Sequence, residues 1–462
     1  MKNMRKILAI ALALCLLPVM AAAAEEVTTA PADSGIAIQL NGELLAFPSG
    51  VAPYFSPEAN RTFVPFRDLF EAMGAVVSYD EDTRVVTAVR GETVVTLEQN
   101  GTAMQVTENG ETRTIESDVP VMNLDGRVLV PIRFASEALG ANVGWDQVNK
   151  TVVVLDTPTV LADKLGDYTL ITKLNDINSG FAGKTYEMTM DMAMSMKGDL
   201  DELELDIPVT AKVVAVANDS AVDGALDMTI DMTSLMTAMM GEVMPGVSGE
   251  MKMDVNAEFL LSVEDMSYAL YCEYINQTLG FEEGTWLTLD MKAMLEDMGE
   301  MSGMMAQLEG ELDIADVVSA ILGEGTLTSI DDYDAFVSVI DMINKLIDDS
   351  NFVQDGNVYT NEVDFLDFDG ATCIATLVIE LDDAGKAVAY DISVTVTEET
   401  TGMKLKLDVA ATAEAMTMDM VINIEGVTVT LEATAAYALT DKAPRTAIPA
   451  GAPVQDLMDA MY

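Results

Sequence analysis

Arg61-Thr-Phe-Val-Pro-Phe-Arg-Asp-Leu-Phe-Glu-Ala-Met-Gly-Ala75 returns, sixty-six positions later and without a gap, as Arg127-Val-Leu-Val-Pro-Ile-Arg-Phe-Ala-Ser-Glu-Ala-Leu-Gly-Ala141. Each copy reads as a short apolar strand ending at proline, an amphipathic helix, a Gly-Ala stop and a second apolar strand. The strands run on into Tyr79-Asp80 and Trp145-Asp146. Proline suits a helix start, where its missing N–H is not needed, which places helices over about 65–73 and 131–139. A repeated supersecondary unit implies two halves that bury a face together. Around it, Ile36–Leu40 with Asn41-Gly42, and short apolar runs separated by Asn100-Gly101 and Asn109-Gly110, read as strands joined by hairpin turns.

Working outward, residues 1–24 read as a secretory signal: Lys2, Arg5 and Lys6, an apolar run from Ile7 to Leu17, then small residues up to Ala24. Leu14 stands before Cys15 where a lipoprotein signal needs a small residue, which argues against a lipid anchor. No other apolar run approaches the roughly 20 residues that cross a bilayer. Residues 25–34 are a polar linker, 35–156 a first domain and 157–462 a second. Export to the cell envelope or beyond is expected.

The chain carries 24 Lys+Arg against 77 Asp+Glu, a net charge of −53, and is 50% hydrophobic. Such a surface repels nucleic acid and anionic membranes, and its apolar content implies a folded chain. Histidine is absent, which removes the usual general base, the Ser-His and Cys-His pairs, and the commonest ligand of zinc and copper. No cofactor is expected. Paired carboxylates survive this exclusion, but among 77 acids no spacing singles out a pair. Outside the signal, Cys272 and Cys373 are the remaining cysteines; the sequence leaves open whether they pair.

Beyond Asp156, Thr159–Asn178 has helical spacing with a break near Gly166. From Tyr186 the period becomes two. Met188, Met190, Met192, Met194 and Met196 alternate with smaller or polar residues, so all five lie on one face of a strand. Further strands are expected at about 209–217, 225–232, 251–263, 268–275 and 285–290. Helical spacing follows at 291–308, 314–322 and 333–347, giving an insertion over about 291–348. Strands resume at about 357–365, 371–381, 388–397, 403–410, 415–424 and 427–437, and a helix over 453–461 ends the chain.

Methionine is the compositional anomaly, 33 in all. Thioethers are soft enough to bind Cu(I), but methionine at every second strand position is what one buried face requires, and its flexible side chain fills irregular apolar space. The five methionines are therefore read as core or cavity lining, with no metal. An adaptable cavity for varied apolar ligands and a filled core share this composition. Asp364-x-x-Asp367-x-Asp369-Gly370 departs from the calcium-loop pattern, with Phe365 at the first ligand position and Thr376 where the closing Glu belongs. Arg67–Glu71 and Arg133–Glu137 lie four apart on their helices and read as helix-face ion pairs rather than anchors for an anionic wall polymer.

The doubled pattern R-x-[FL]-V-P-[FI]-R…E-A-[ML]-G-A resembles the copper amine oxidase-like N-terminal domain, a stalk module of exported Gram-positive proteins. The resemblance implies an α+β fold over residues 35–156 with a helix per repeat. It implies no oxidase chemistry, since the copper site lies in a separate domain that needs histidines. The remainder resembles the LolA-like and LppX/LprG-like envelope proteins in its strand order, in Gly284-Thr-Trp286-Leu-Thr-Leu and in Ile448-Pro-Ala-Gly-Ala-Pro-Val. That resemblance implies one large curved antiparallel sheet closed by helices over an apolar cavity. The expected fold class is α+β: a small domain of two strand-helix-strand units, then the large sheet. The expected function is a non-catalytic envelope protein whose second domain binds an apolar ligand or lipid, with a cell-wall polymer or envelope protein as partner. The alternative is a structural or adhesive module with a filled core.

Overall fold

The computed structural model describes residues 36–457 apart from 109, 125, 178, 201–202, 242–249, 264–265, 291–328, 369–370, 399–400 and 425. The signal, the linker and the helices expected at 291–308 and 314–322 lie outside the described residues. The chain divides into two compact units. Among the described residues one comprises 36–166 and 329–344, and the other 167–290 and 345–457.

In the first unit the repeat forms strand Arg61–Pro65, helix Phe66–Ala72 and strand Val76–Asp80, then strand Arg127–Pro131, helix Ile132–Glu137 and strand Asn142–Asp146. Pro65 and Pro131 end their strands and stand as N-caps, one position earlier than a first-turn proline. The two leading strands pair antiparallel with Val64 opposite Val130. These residues occupy equivalent positions of the repeat, so the halves meet about a local pseudo-twofold axis at that pair. Both valines are fully buried.

The same symmetry organises the hydrogen bonds. Asp80 accepts the main-chain N–H groups of Asp82 and Thr83, and Asp146 those of Val148 and Asn149. Each turn leads into a residue with positive φ, Arg84 (59°) and Lys150 (49°). The equivalents Arg90 and Asp156 pair with each other across the halves, and the Asp156 side chain is 1% exposed. Arg90 also donates to the Met73 and Leu139 carbonyls, again equivalent positions, at 3.5 and 2.7 Å. One guanidinium thus serves the carbonyl ends of both repeat helices, where unpaired acceptors collect.

The halves diverge beyond that axis. Strands 76–80 and 85–90 continue as a meander through 93–98, 103–108 and 111–116, whereas strand Thr151–Leu155 pairs in parallel with Ala37–Leu40. A single core joins the helices and sheets, with Phe66, Leu69, Phe70, Leu97 and Met104 each at most 1% exposed. The first fifteen residues of helix Ile330–Ile347 belong to this unit. The Tyr333 hydroxyl donates to the Asn41 carbonyl at 2.6 Å, and Asp146 accepts the Ile330 N–H at 3.3 Å. Asn344 donates to the Lys164 carbonyl (2.7 Å) and accepts from the Gly166 N–H (3.0 Å). Gly42, at φ 85°, lies where a Cβ would sit 2.4 Å from the Tyr333 ring.

The second unit is dominated by a 14-stranded sheet. In sheet order its strands are 353–355, 358–368, 371–381, 387–398, 404–412, 415–424, 427–439, 186–200, 203–217, 221–231, 252–262, 267–272, 286–290 and 454–456. Every pairing is antiparallel except the last. Two meanders are thus joined where Val427–Leu439 meets Tyr186–Leu200. Short strands form both edges, which limits the unpaired backbone open to another chain.

Three expectations are revised in this unit. Residues 454–456 form an edge strand parallel to Trp286–Asp290, where the first turn of a helix over 453–461 was expected; Leu457 is helical, and 458–461 lie outside the described residues. Arg445 ties the chain just upstream to Asp223 and Glu258 at 2.7 and 2.8 Å, and Trp286 packs with Ile448 and Ala452. The strand expected over 268–275 ends at Cys272 and becomes helix Glu273–Leu279, closed by Gly280 at φ 76°. Helix Thr233–Gly241 follows strand Ala221–Asp231 and was not anticipated. The Ser234 hydroxyl bonds both main-chain groups of Asp206, standing in for a strand partner. The helical stretch expected over 159–178 with a break near Gly166 forms Thr157–Lys164, Thr169–Thr172 and a 3₁₀ turn Lys173–Asp176, the break falling between Lys164 and Thr169.

Candidate methionine-rich face and tyrosine cluster

Strand register carries the two-residue period of Tyr186–Leu200 across the whole sheet. Starting from Met194, successive partners read Val363, Ala375, Val394, Leu407, Met420, Leu431, Met194, Val209, Ile230 and Met253. Ten strands contribute ten apolar residues to one row. One position along, the row reads Glu362, Thr376, Ser393, Asp408, Asp419, Glu432, Ala193, Thr210, Thr229 and Asp254. The sheet therefore has an apolar face and an acidic, threonine-rich face.

All five predicted methionines lie on the apolar face. Met188, Met190, Met192 and Met196 are half-buried and Met194 is 42% exposed. Small residues separate their column from other methionines: Ala435 lies between Met190 and Met416, Ala433 between Met192 and Met418, and Ala211 between Met192 and Met228. Burial is graded along the strands. Ile379, Tyr390, Ala411 and Met416 are 0–5% exposed, whereas Met194, Met251 and Ile424 are 42–43% exposed. The 3₁₀ turn Lys173–Asp176 packs on strand Ala387–Glu398, which carries Tyr390.

Tyrosines gather at the buried end. The rings of Tyr186 and Tyr437 lie 6.4 Å apart, with Phe181 edge-on at 5.4 and 6.5 Å. Burial pushes the Tyr390 phenol up to about 12, with a further contribution from Tyr437. Burial, then Tyr186, raises Tyr437, and burial, then Asp219, raises Tyr186. The sequence reading missed this cluster, although these tyrosines share the strand period of the methionines.

A cavity of about 760 Å³ opens on the opposite, polar face, lined by side chains such as Asp191, Lys212, Asp227, Asp254 and Glu432. Lys212 pairs with Asp191 at 3.1 Å and Thr229 donates to Asp254 at 2.6 Å. Met192 is the one predicted methionine bordering it, and the strand period directs its side chain to the other face. Among the described residues no group of three His, Cys, Asp or Glu could hold a metal ion. Of the weighed calcium residues, Asp364 lies on the polar face, and Asp369 and Gly370 lie outside the described residues.

Cys272 and Cys373 are free thiols, on strands nine steps apart in the sheet. Arg67 pairs with Glu71 at 3.0 Å and donates to the Val77 carbonyl at 2.9 Å. Arg133 reaches the equivalent Val143 carbonyl at 3.4 Å, without an ion pair to Glu137 among the described residues. Both arginines thus tie their helix to the strand that follows. Among the described residues no helix is long and apolar enough to cross a membrane.

No curated protein matches the chain. Among solved structures, a DUF1329 family protein from Desulfovibrio piger is 11% identical, covering 59% of this chain and 93% of its own, with a TM-score of 0.17. Ail, the attachment invasion locus protein of Yersinia pestis, is 7% identical, covering 55% and 98%, with a TM-score of 0.11. At those scores neither likeness bears on fold or function. The family model of the copper amine oxidase N-terminal domain matches residues 39–194, running past Asp156 into the methionine strand, and the chain carries that domain there.

Proposed function

We propose that the protein is an exported, non-catalytic cell-envelope protein in which the N-terminal domain is a stalk for a sheet domain that binds an apolar ligand or lipid. The observation that carries this reading is the unbroken apolar row through Met194, itself 42% exposed. Exposed apolar area is favourable to cover, at about 25 cal/mol per Å² removed from water, and methionine adapts to varied shapes. The matched part of the oxidase family is its N-terminal domain, and a chain without histidine cannot supply that family's copper ligands. The acidic opposite face keeps such a sheet in solution.

A second reading has its own support: Ala433, Ala435 and Met416 are 4–9% exposed, so part of the face is already covered, as a structural or adhesive module would need. Native mass spectrometry of protein purified from its own host separates the two. A co-purifying lipid, lost in Met190→Asp/Met192→Asp while circular dichroism is unchanged, supports the carrier. Ligand-free protein that also takes up no added lipid sinks it. N-terminal sequencing of the secreted product tests export, with a start near Glu25 expected.

A further inference from the structure

Resting on the reading that the apolar face holds a ligand, we propose that the Tyr390 and Tyr437 phenols anchor the polar end of that ligand, a single-chain amphiphile whose head group is uncharged and accepts a hydrogen bond. Tyr390 is 5% exposed, and neither phenol has a hydrogen-bond partner among the described residues. Both phenol oxygens keep contact with solvent, so each O–H is open to an acceptor laid against the apolar face. Register places both rings on the apolar face. Tyr390 shares a row with Ile379, Ala411, Met416, Ala435 and Met190, and Tyr437 stands opposite Met188.

The environment selects the head group. Among the described residues the neighbours that raise these phenols beyond burial are themselves tyrosines, Tyr437 for Tyr390 and Tyr186 for Tyr437. Among the described residues no lysine or arginine bonds to either phenol, Lys173 on the neighbouring turn donating to the Gly385 carbonyl instead, and the chain's net charge of −53 repels an anionic head. Both phenols stay protonated at neutral pH and can donate. From this end the apolar rows run toward Met194 and Ile424, so an alkyl tail lies along the methionines with its head at the tyrosines.

The test uses the full chain, N-phenyl-1-naphthylamine as an uncharged apolar fluorophore, and 1-decanol, decanoate and decyltrimethylammonium as competitors with one tail. We expect 1-decanol to displace the fluorophore best. Tyr390→Phe and Tyr437→Phe should each weaken 1-decanol about tenfold, the worth of one hydrogen bond of roughly 1.4 kcal/mol, while fluorophore affinity and melting temperature hold. Phe variants that bind 1-decanol as the wild type does overturn the anchor alone. A wild type that binds neither fluorophore nor competitor overturns the ligand reading and the anchor together. Tighter binding of decanoate than of 1-decanol overturns the head-group assignment.

Discussion

The two units solve the same problem of burying apolar side chains in opposite ways. In the N-terminal unit the repeat turns two equivalent surfaces inward, and Phe66, Leu69 and Phe70 are at most 1% exposed. In the sheet unit apolar residues reach one face of ten successive strands, and burial falls off until Met194, Met251 and Ile424 stand more than 40% exposed. A repeat that closes on itself supplies its own cover. An open sheet must find cover elsewhere, and the difference leaves these exposed apolar side chains on the sheet unit.

The comparison breaks hardest at the pseudo-twofold axis. Arg90→Ala should destabilise the N-terminal unit by about 3–5 kcal/mol, because Asp156 is left buried and charged and two helix-end carbonyls lose their donor. Chemical denaturation would measure it, and Arg90→Ala/Asp156→Ala should recover part of the loss. Leu69→Ala, at a fully buried position, should cost about 2–5 kcal/mol, whereas Met194→Ala, at 42% exposure, should cost less than about 1 kcal/mol. Equal losses would mean that the sheet face is as closed as the repeat core.

Smaller effects sharpen the picture. Tyr333→Phe should cost about 0.5–1.5 kcal/mol through the lost bond to Asn41, and Gly42→Ala more, because its φ of 85° and the ring both oppose a Cβ. Spectrophotometric titration should find Tyr390 ionising near pH 12. Its pKa is raised on folding, so the phenol's contribution to stability is complete below its unfolded value near 10 and is lost as pH climbs through 12. At the acid end, burial alone would raise Asp146, but hydrogen bonds from Asn149, Ile330 and Val148 outweigh it and hold the carboxyl below its usual value. That contribution is present above pH about 4 and fades as pH falls through the lowered value, and Asp146→Asn should flatten it in acid unfolding curves.

Much of this was legible in the chain. The 66-residue offset marked both strand-helix-strand segments and would also have paired Arg90 with Asp156, had it been extended beyond the obvious motif. The period of two gave the strand of five methionines and its partners. At residues 454–456 the difference comes from pairing at the sheet edge, which overrides local spacing, whereas 268–275 continues as a strand only to Cys272 before the chain turns into helix Glu273–Leu279. Tyr186, Tyr390 and Tyr437 are scattered over 252 positions, and no local pattern announces that they share one end of one face.

By itself the sequence determined the periodicities, the repeat and, through the absence of histidine, the chemistry excluded, because these depend on neighbours along the chain. Only the tertiary structure decided which strands stand side by side, that the halves of the repeat meet at Val64 and Val130, that helix Ile330–Ile347 completes the N-terminal unit, and that the tyrosines converge. Each of those depends on strand register and on contacts between distant residues, which local propensity does not encode.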